Sequence, residues 1–360
     1  MSINQLPKLL PGTVPAPRNH WYVAAFAHEV TETPMARFLL GERVLLYRTE
    51  AGAPIALADY CAHRAMPLSK GKRVGGDRIQ CPYHGIEFGP DGHCRHIPSQ
   101  KGTPQQMRVH AYPLVQRWNW LWIWMGDPDL ADEALIPNHA DFSFEGNDFW
   151  KVALWRMDFA CNFQLIHENV LDVSHVSFLH EGLADSGSLV KTPAKTVVEG
   201  NVITMTRRWE DLLTDSYAKT FGIADGTRVI RTNIAKTYVP SLNVAMNIFE
   251  FPDDPERSPA MRSAPMAFTP ETDQSCHYFM AVGANYGDEP VGAVLEAQGQ
   301  ALWNLILDDK DAAESIQEAY NMLGAKTPDV SVRADEGAVR FRRMLAEQVA
   351  REFSQSQFSD

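Results

Sequence analysis

The sequence predicts an α+β protein in which a small all-β domain precedes a larger domain of strands and helices. Short strand-like runs fill residues 19–127, longer alternating runs fill residues 194–285, and helical spacing returns towards the C-terminus. Strands grouped in blocks, with helices segregated around them, favour α+β architecture over alternating βαβ units. We therefore expect an N-terminal arm at residues 1–18, a first domain at 19–127 and a second domain at 128–360.

The first domain is predicted to contain strands and no helix. Its segment FLLGERVLLYRTEAGAPIALADYC has β-branched and aromatic runs that are broken by glycine, proline and an Asp-Tyr pair. The segment NWLWIWMGDP reads as an aromatic-rich strand followed by a Gly-Asp-Pro stop. Because no helical period occurs before residue 127, short strands and turns are expected to build this domain.

The second domain is predicted to combine long strands with three helices. Residues 161–181 place apolar side chains on one side of a helix, at Phe163, Ile166, Val170 and Val173. Strands follow in KTVVEGNVITMTRRW, SLNVAMNIFEF and CHYFMAVGANY. Two further helices are expected at residues 291–323 and 336–353, and the second repeats an apolar residue at every fourth position, at Phe341, Leu345, Val349 and Phe353.

Composition argues against several classes of function. The 360 residues contain 45 acidic and 33 basic side chains, a formal net charge of -12, so the chain repels phosphate backbones and nucleic acid is not an expected partner. No apolar run reaches the roughly 18 residues that a membrane helix needs. The N-terminal segment lacks the apolar stretch of a signal peptide, and five cysteines are too few for a disulfide framework. We expect a cytoplasmic protein without a membrane segment.

Two Cys/His pairs form the sharpest chemical pattern. Cys61-Ala-His63 and Cys81-Pro-Tyr-His84 are separated by residues 64–80, and glycines and prolines surround both pairs. Two thiolates and two imidazoles suit either a tetrahedral zinc ion or a Rieske [2Fe–2S] cluster. Zinc fingers usually keep cysteine with cysteine and histidine with histidine. Here each pair is mixed, which favours a two-iron cluster, with the cysteines on one iron and the histidines on the other.

A second group of candidate ligands lies in the predicted helix 161–181, at Asn169, Asp172, His175 and His180. His175 and His180 are five residues apart, which places them about 140° out of register on an ideal helix. Both can reach one metal only if the helix ends or distorts between them, and Ser177-Phe178 is the expected place. With a carboxylate, two imidazoles would make the open-faced triad of non-haem Fe(II) oxygenases. Taken alone, the same residues also suit a structural histidine pair beside a solvated carboxylate.

The stretch CAHRAMPLSKGKRVGGDRIQCPYHGIEFGPDGHCRHIP resembles the Rieske segment of the Rieske non-haem iron oxygenases. The likeness is to the short-chain group that includes the oxygenase components of vanillate O-demethylase and dicamba monooxygenase. It continues through WIWMGDP and resumes in the second domain. The resemblance implies a Rieske domain followed by a helix-grip catalytic domain with a central antiparallel sheet. It also implies that one [2Fe–2S] cluster is bound by Cys61, His63, Cys81 and His84.

The pattern N-x-x-D-x-x-H-x₄-H matches the segment in which both histidines of that family bind iron. The resemblance therefore implies that His175 and His180 hold one mononuclear Fe(II) per subunit. The third ligand of the family is an aspartate in a late helix. LILDDKDAAESIQ supplies Asp309 as that ligand, and a slip in the alignment would promote Asp308 or Asp311 instead.

The resemblance also implies a route for electrons between subunits of a homotrimer. In the family, an aspartate at the position of Asp172 bridges a cluster histidine of one subunit to an iron histidine of the next. Carried onto this sequence, the bridged pair is His84 and His175. Asn169, one helical turn before Asp172, is expected to support the catalytic site.

The function implied is that of a terminal oxygenase component. It would use O₂ and two electrons, passed from NAD(P)H by a separate reductase or ferredoxin, to hydroxylate a methyl group of a small aromatic substrate. The expected reaction is oxidative O-demethylation of a methoxylated aromatic acid. A ring-hydroxylating oxygenase and a Rieske electron-transfer protein without a second metal are the alternatives. The substrate pocket is expected from residues 203–305, where no polar pair stands out as a carboxylate clamp.

The segment between the cluster pairs is basic, although the chain is acidic. Residues 61–85 contain five cations and one carboxylate, namely Arg64, Lys70, Lys72, Arg73, Arg78 and Asp77. These charges could simply solvate the loop. Because local fields steer encounter more than net charge does, we expect an acidic ferredoxin or ferredoxin-domain reductase to dock there.

Overall fold

The structure is a computed structural model that describes residues 11–138, 151–180, 187–213, 217–218, 221–286, 291–328 and 330–356. The chain divides into two compact units. The smaller consists of residues 18–136 and 269–273, and the larger of residues 1–17, 137–268 and 274–360. Each unit has a hydrophobic core of its own.

The smaller unit is built from antiparallel sheets of short strands. Its strands are β1 (Trp21–Phe26), β2 (Met35–Leu39), β3 (Glu42–Arg48), β4 (Pro54–Ala58), β5 (Lys72–Val74), β6 (Arg78–Gln80), β7 (Glu87–Phe88), β8 (Cys94–His96), β9 (Ala111–Tyr112), β10 (Leu114–Arg117) and β11 (Trp120–Trp124). They pair in the orders β1-β11-β10, β2-β3-β4-β9 and β5-β6-β7-β8. Among the described residues of this unit the helical segments are short 3₁₀ turns only, at Leu68–Lys70, Pro128–Leu130 and Glu133–Leu135. The predicted all-β character is confirmed.

Strand β11 is the aromatic strand that the sequence predicts. All five of its residues are buried, because it lies in the middle of its sheet between β1 and β10. The Trp124 ring meets Trp21 edge to face, with centroids 5.5 Å apart. Such aromatic pairs stabilise a core by about 1 kcal/mol beyond their area burial. The tryptophans of β11 therefore pack in the core.

The larger unit is organised around a seven-stranded antiparallel sheet with the order β12-β18-β17-β16-β15-β14-β13. Its strands are β12 (Lys151–Phe159), β13 (Lys195–Glu199), β14 (Val202–Leu212), β15 (Arg228–Tyr238), β16 (Leu242–Glu250), β17 (Ala260–Thr272) and β18 (Ser275–Ala284). Its helices are α1 (Phe163–Leu171), α2 (Val176–Leu179), α3 (Val291–Leu323) and α4 (Glu336–Ser356), joined by 3₁₀ turns at Val173–His175, Gly324–Lys326 and Arg333–Asp335. The α+β fold class is confirmed.

Helices α1 and α4 pack with the sheet to form the core of the larger unit. The core contains Leu165, Ile166 and Leu171 of α1 and Phe341 and Leu345 of α4. The predicted apolar stripe of α4 is buried through Val349, whereas Phe353 is exposed. Helix α3 has the bounds expected from the sequence, and α4 runs to Ser356 instead of 353.

The predicted helix 161–181 is broken into shorter pieces, so the expectation of one helix was wrong. Helix α1 ends at Leu171, and Asp172 adopts an extended backbone with φ −103° and ψ 91°. The Asp172 carboxylate accepts a hydrogen bond from Ser174 N and caps the following 3₁₀ turn. A side chain that bonds to nearby backbone in this way competes with continued helix formation.

The N-terminal segment that the structure describes contacts α1. Gln164 Nε2 donates a hydrogen bond of 2.7 Å to the carbonyl of Val14. Residues 1–10 of the predicted arm lie outside the described residues. No helix among the described residues is both long and apolar enough to cross a membrane.

Candidate metal centres and substrate pocket

The two Cys/His pairs lie on loops with the same backbone hydrogen bonds. In the first loop, Cys61 N donates to the Met66 carbonyl and Ala65 N donates to the Cys61 carbonyl, both at 2.8 Å. In the second loop, Cys81 N bonds to the Ile86 carbonyl and Gly85 N to the Cys81 carbonyl, at 2.8 and 3.0 Å. Ala65 and Gly85 close the two turns with φ of 52° and 72°, the region that favours glycine. Two equivalent loops thus present the four side chains.

The four side chains of these loops separate into a buried pair and an exposed pair. The thiols of Cys61 and Cys81 are buried and contact each other, and burial raises the pKa of Cys61 to about 11. The imidazoles of His63 and His84 are exposed, with their Nδ1 atoms 3.2 Å apart. These four side chains do not meet the criterion of three potential metal ligands within 4.8 Å of one another. Among the described residues, a different group of side chains meets it. A deep thiol pair beside an outer imidazole pair fits a two-iron cluster better than one zinc ion.

The second candidate centre lies where α1 and α2 meet α3. His175 closes the 3₁₀ turn before α2, and His180 follows the last residue of α2 with φ −112° and ψ 38°. The distortion expected at Ser177-Phe178 was wrong, because both residues lie inside α2. The backbone departs from the helix at Asp172 and His180 instead, and this brings the two imidazoles to one place.

Asp309 of α3 completes this group. Its Oδ1 lies 3.1 Å from His180 Nε2 and 3.4 Å from His175 Nε2. The three donor atoms all lie within 4.8 Å of one another. Asn169 Nδ2 donates to the same Oδ1 at 2.9 Å. Although burial raises the pKa of Asp309, its hydrogen bonds to His175, His180 and Asn169 hold that pKa well below its ordinary value.

The outer nitrogens of both imidazoles are also held. His175 Nδ1 lies 2.5 Å from the backbone carbonyl of Asp172, and His180 Nδ1 lies 3.3 Å from Asp308 Oδ2. A partner at one ring nitrogen fixes the ring and turns the other nitrogen towards a metal. Asp309 therefore faces the inner nitrogens and Asp308 the outer one, while Asp311 is not part of the group.

The Asp172 carboxylate points to its own turn and not to the other three side chains. Its two oxygens accept hydrogen bonds from Ser174 N at 2.9 Å and Ser174 Oγ at 3.0 Å. The expected bridge from Asp172 to a cluster histidine of another subunit concerns a second chain and stays a prediction.

A cavity opens beside His175, His180 and Asp309 in the larger unit. It leaves about 1040 Å³ free of protein atoms, including the part open to solvent. Most of its wall is apolar and comes from α1, α3 and the sheet, for example Ile166, Leu302, Ile306, Ala264, Met266 and Phe268. A predominantly apolar cleft with a few polar groups suits a small aromatic ligand.

Two arginines and two asparagines of the sheet also line this cavity, namely Arg231, Asn233, Asn247 and Arg262. No such group stands out in the sequence of residues 203–305, and the structure brings these four side chains to one cavity. A signal was present, since Arg231 and Asn233 alternate along a strand pattern and share one face. Sequence alone could not say that this face lines a cavity.

Comparison with known proteins agrees with both centres. Residues 20–113 match the Rieske [2Fe-2S] domain, and residues 159–351 match the vanillate O-demethylase oxygenase C-terminal domain. The chain is 33% identical to the dicamba O-demethylase oxygenase component of Stenotrophomonas maltophilia over 343 residues, which cover 91% of this chain and 96% of that protein.

Solved structures give the same result. Dicamba monooxygenase bound to dicamba has a TM-score of 0.83 and 30% identity, and the match covers 94% of this chain and 98% of that one. Dicamba monooxygenase with non-heme iron and dicamba has a TM-score of 0.79 and 29% identity, with 94% and 98% covered. The alternative of an electron-transfer protein without a second metal does not account for the matched second domain. The chain belongs to the Rieske non-haem iron oxygenases and is the oxygenase component of such a system, with a Rieske [2Fe–2S] cluster and a mononuclear iron as its cofactors.

Proposed function

We propose that this oxygenase removes the methyl group of a methoxylated aromatic acid by hydroxylating the methyl carbon. The observation that carries the proposal is the His175, His180 and Asp309 group in the wall of a largely apolar cavity. Such a cavity holds an aromatic ring and keeps water from the reacting carbon. The resemblance to O-demethylases supports the choice of a methoxy substrate over ring hydroxylation.

We assign the cofactors to the residues named above. Cys61 and Cys81 would hold one iron of the cluster, and His63 and His84 the other. His175, His180 and Asp309 would hold the mononuclear iron, which would supply the activation of O₂ with electrons from the cluster. Residues outside these sets keep the ligands in place.

The supporting residues act through hydrogen bonds. Asn169 holds Asp309 Oδ1, the Asp172 carbonyl orients His175, and Asp308 orients His180. Each bond fixes a ligand before the metal binds, which strengthens the site. We also propose that the Asp172 carboxylate joins the two centres between neighbouring subunits of a homotrimer.

Product analysis with methoxybenzoates tests the reaction. With its reductase, NAD(P)H and O₂, the enzyme is expected to release one formaldehyde and one hydroxybenzoate for each substrate consumed. The measurement is product identification by mass spectrometry with isotope-labelled methoxy groups. A ring-hydroxylated product that keeps its methoxy group would show that the enzyme is a ring hydroxylase instead.

We propose that the redox partner docks on the loop between the cluster pairs. Three of its cations, Arg64, Lys70 and Lys72, are exposed and form no ion pair with another described residue. Arg73 is different, because it bonds to Glu32 at 2.5 Å and Asp77 at 2.7 Å. The free positive charge of the loop is thus smaller than its sequence suggests, but it still complements an acidic partner.

Charge reversal at this loop tests the docking proposal. Arg64→Glu with Lys72→Glu is expected to slow reduction of the cluster by the physiological donor and to flatten its salt dependence. Dithionite should still reduce the cluster normally. Lys326→Glu, an exposed lysine of the larger unit, is the control and should leave the kinetics unchanged. Stopped-flow kinetics unaltered in the double variant would place the partner on another surface.

A further inference from the structure

A row of polar side chains crosses the sheet inside the cavity. Asn233 of β15, Asn247 of β16 and Arg262 of β17 lie directly opposite one another in the strand register. Residues opposite one another on adjacent strands share one face, and all three line the cavity. Two residues further along each strand, the same face carries a row of small side chains: Ala235, Ala245 and Ala264.

Arg262 is the charged member of the polar row, and no described carboxylate pairs with it. Its guanidinium bonds to the hydroxyl of Tyr217. Arg231, also at the cavity wall, is neutralised, since its Nη1 lies 3.0 Å from Asp211 Oδ2. Arg262 is partly buried in a largely apolar cavity. A cation in such surroundings without a counterion is costly, so a ligand that supplies an anion would bind favourably there.

Asn247 adds a donor beside Arg262. Its Oδ1 accepts a hydrogen bond of 3.3 Å from Asn233 Nδ2. The Nδ2 group of Asn247 then has no partner among the described residues. A guanidinium and an amide on adjacent strands can together donate to both oxygens of a carboxylate.

We propose that Arg262, with the Asn247 amide, binds an anionic group of the aromatic substrate, a carboxylate or a sulfonate. The planar guanidinium matches such oxyanions, and the alanine row beside it accepts a flat ring. The inference rests on the proposed function, because it concerns the same cavity. Arg262 is then the residue that makes the enzyme select acids over their neutral analogues.

Equilibrium binding without turnover tests this assignment. Isothermal titration calorimetry on the iron-loaded enzyme would use 4-methoxybenzoate, 4-methoxybenzenesulfonate and neutral 4-methoxybenzamide. At least one anion is expected to bind more tightly than the amide. Arg262→Gln should weaken anion binding about 10- to 100-fold and leave amide binding within about threefold, whereas Arg262→Lys should keep part of the preference.

The control is Arg208→Gln, at an exposed arginine of β14 that pairs with Glu250. This variant should bind all three probes like the parent. Binding of 4-methoxybenzamide also reports folding, because an Arg262→Gln variant that still binds this neutral probe has an intact cavity. An anion preference that survives in Arg262→Gln, or no anion preference in the parent, overturns the proposal. Arg262-dependent binding without formaldehyde release would instead refute only the proposed demethylation.

Discussion

Replacing Asp309 with alanine is expected to lower the iron content from about three to about two per chain and to abolish turnover, while the cluster stays intact. The Asp309 carboxylate lies at the centre of the site, because the Nε2 atoms of both histidines and the Asn169 amide lie within 3.4 Å of its Oδ1. Without it, two imidazoles remain with no anionic ligand. The loss should exceed the roughly 10- to 100-fold that removing an outer hydrogen-bond partner costs.

Asp308→Ala is the matched control for this prediction. Asp308 is the adjacent residue of the same helix, but it bonds to the outer nitrogen of His180 at 3.3 Å. Its removal should weaken iron binding by at most about 100-fold and leave some activity. Metal analysis and the visible spectrum of the cluster distinguish the two variants. If Asp308→Ala loses the iron and Asp309→Ala keeps it, the ligand assignment must move by one residue.

The fold was predictable where the physical signal is local. Helix α3 has the bounds expected from the sequence, and the aromatic run of β11 marks a buried strand. The break between α1 and α2 was not predictable in the same way. Apolar spacing continues through residues 161–181, and the helix stops because the Asp172 carboxylate bonds to Ser174 N. A pattern of apolar residues carries no information about that competition.

The site shows the same division between local and distant information. The spacing within each Cys/His pair is local, so the cluster residues could be proposed from the sequence. Asn233, Asn247 and Arg262 lie on three different strands, and only the register of two hairpins aligns them. Register depends on turn geometry and on which face is buried, and a one-residue slip would turn each side chain to the other face.

Asp172→Asn is expected to leave both metal centres loaded and to abolish nearly all coupled turnover, because the proposed electron path between the centres runs through the Asp172 carboxylate. The substitution removes a carboxylate charge that interacts with the buried Arg207, but it leaves the backbone of residue 172 in place. His175 Nδ1 bonds to the backbone carbonyl of Asp172, which the substitution does not touch. The iron ligand should therefore keep its orientation while the side chain loses its charge.

Ser174 donates hydrogen bonds to both oxygens of the Asp172 carboxylate. An asparagine oxygen can still accept from Ser174 N, so the 3₁₀ turn should persist. Ser174→Ala is the control, because it removes one hydrogen bond to the carboxylate and keeps the charge. We expect that control to retain most of its activity.

The measurement follows cluster oxidation in a single turnover, after reduction by dithionite and mixing with substrate and O₂. In Asp172→Asn, dithionite should reduce the cluster normally and the iron content should be unchanged. Reoxidation of the cluster should become slower, in parallel with the loss of turnover. That combination locates the defect in electron transfer between the centres, because binding and loading are intact. Reoxidation at the parental rate would show that electrons reach the iron without the Asp172 carboxylate, and the proposed bridge between subunits would have to be abandoned.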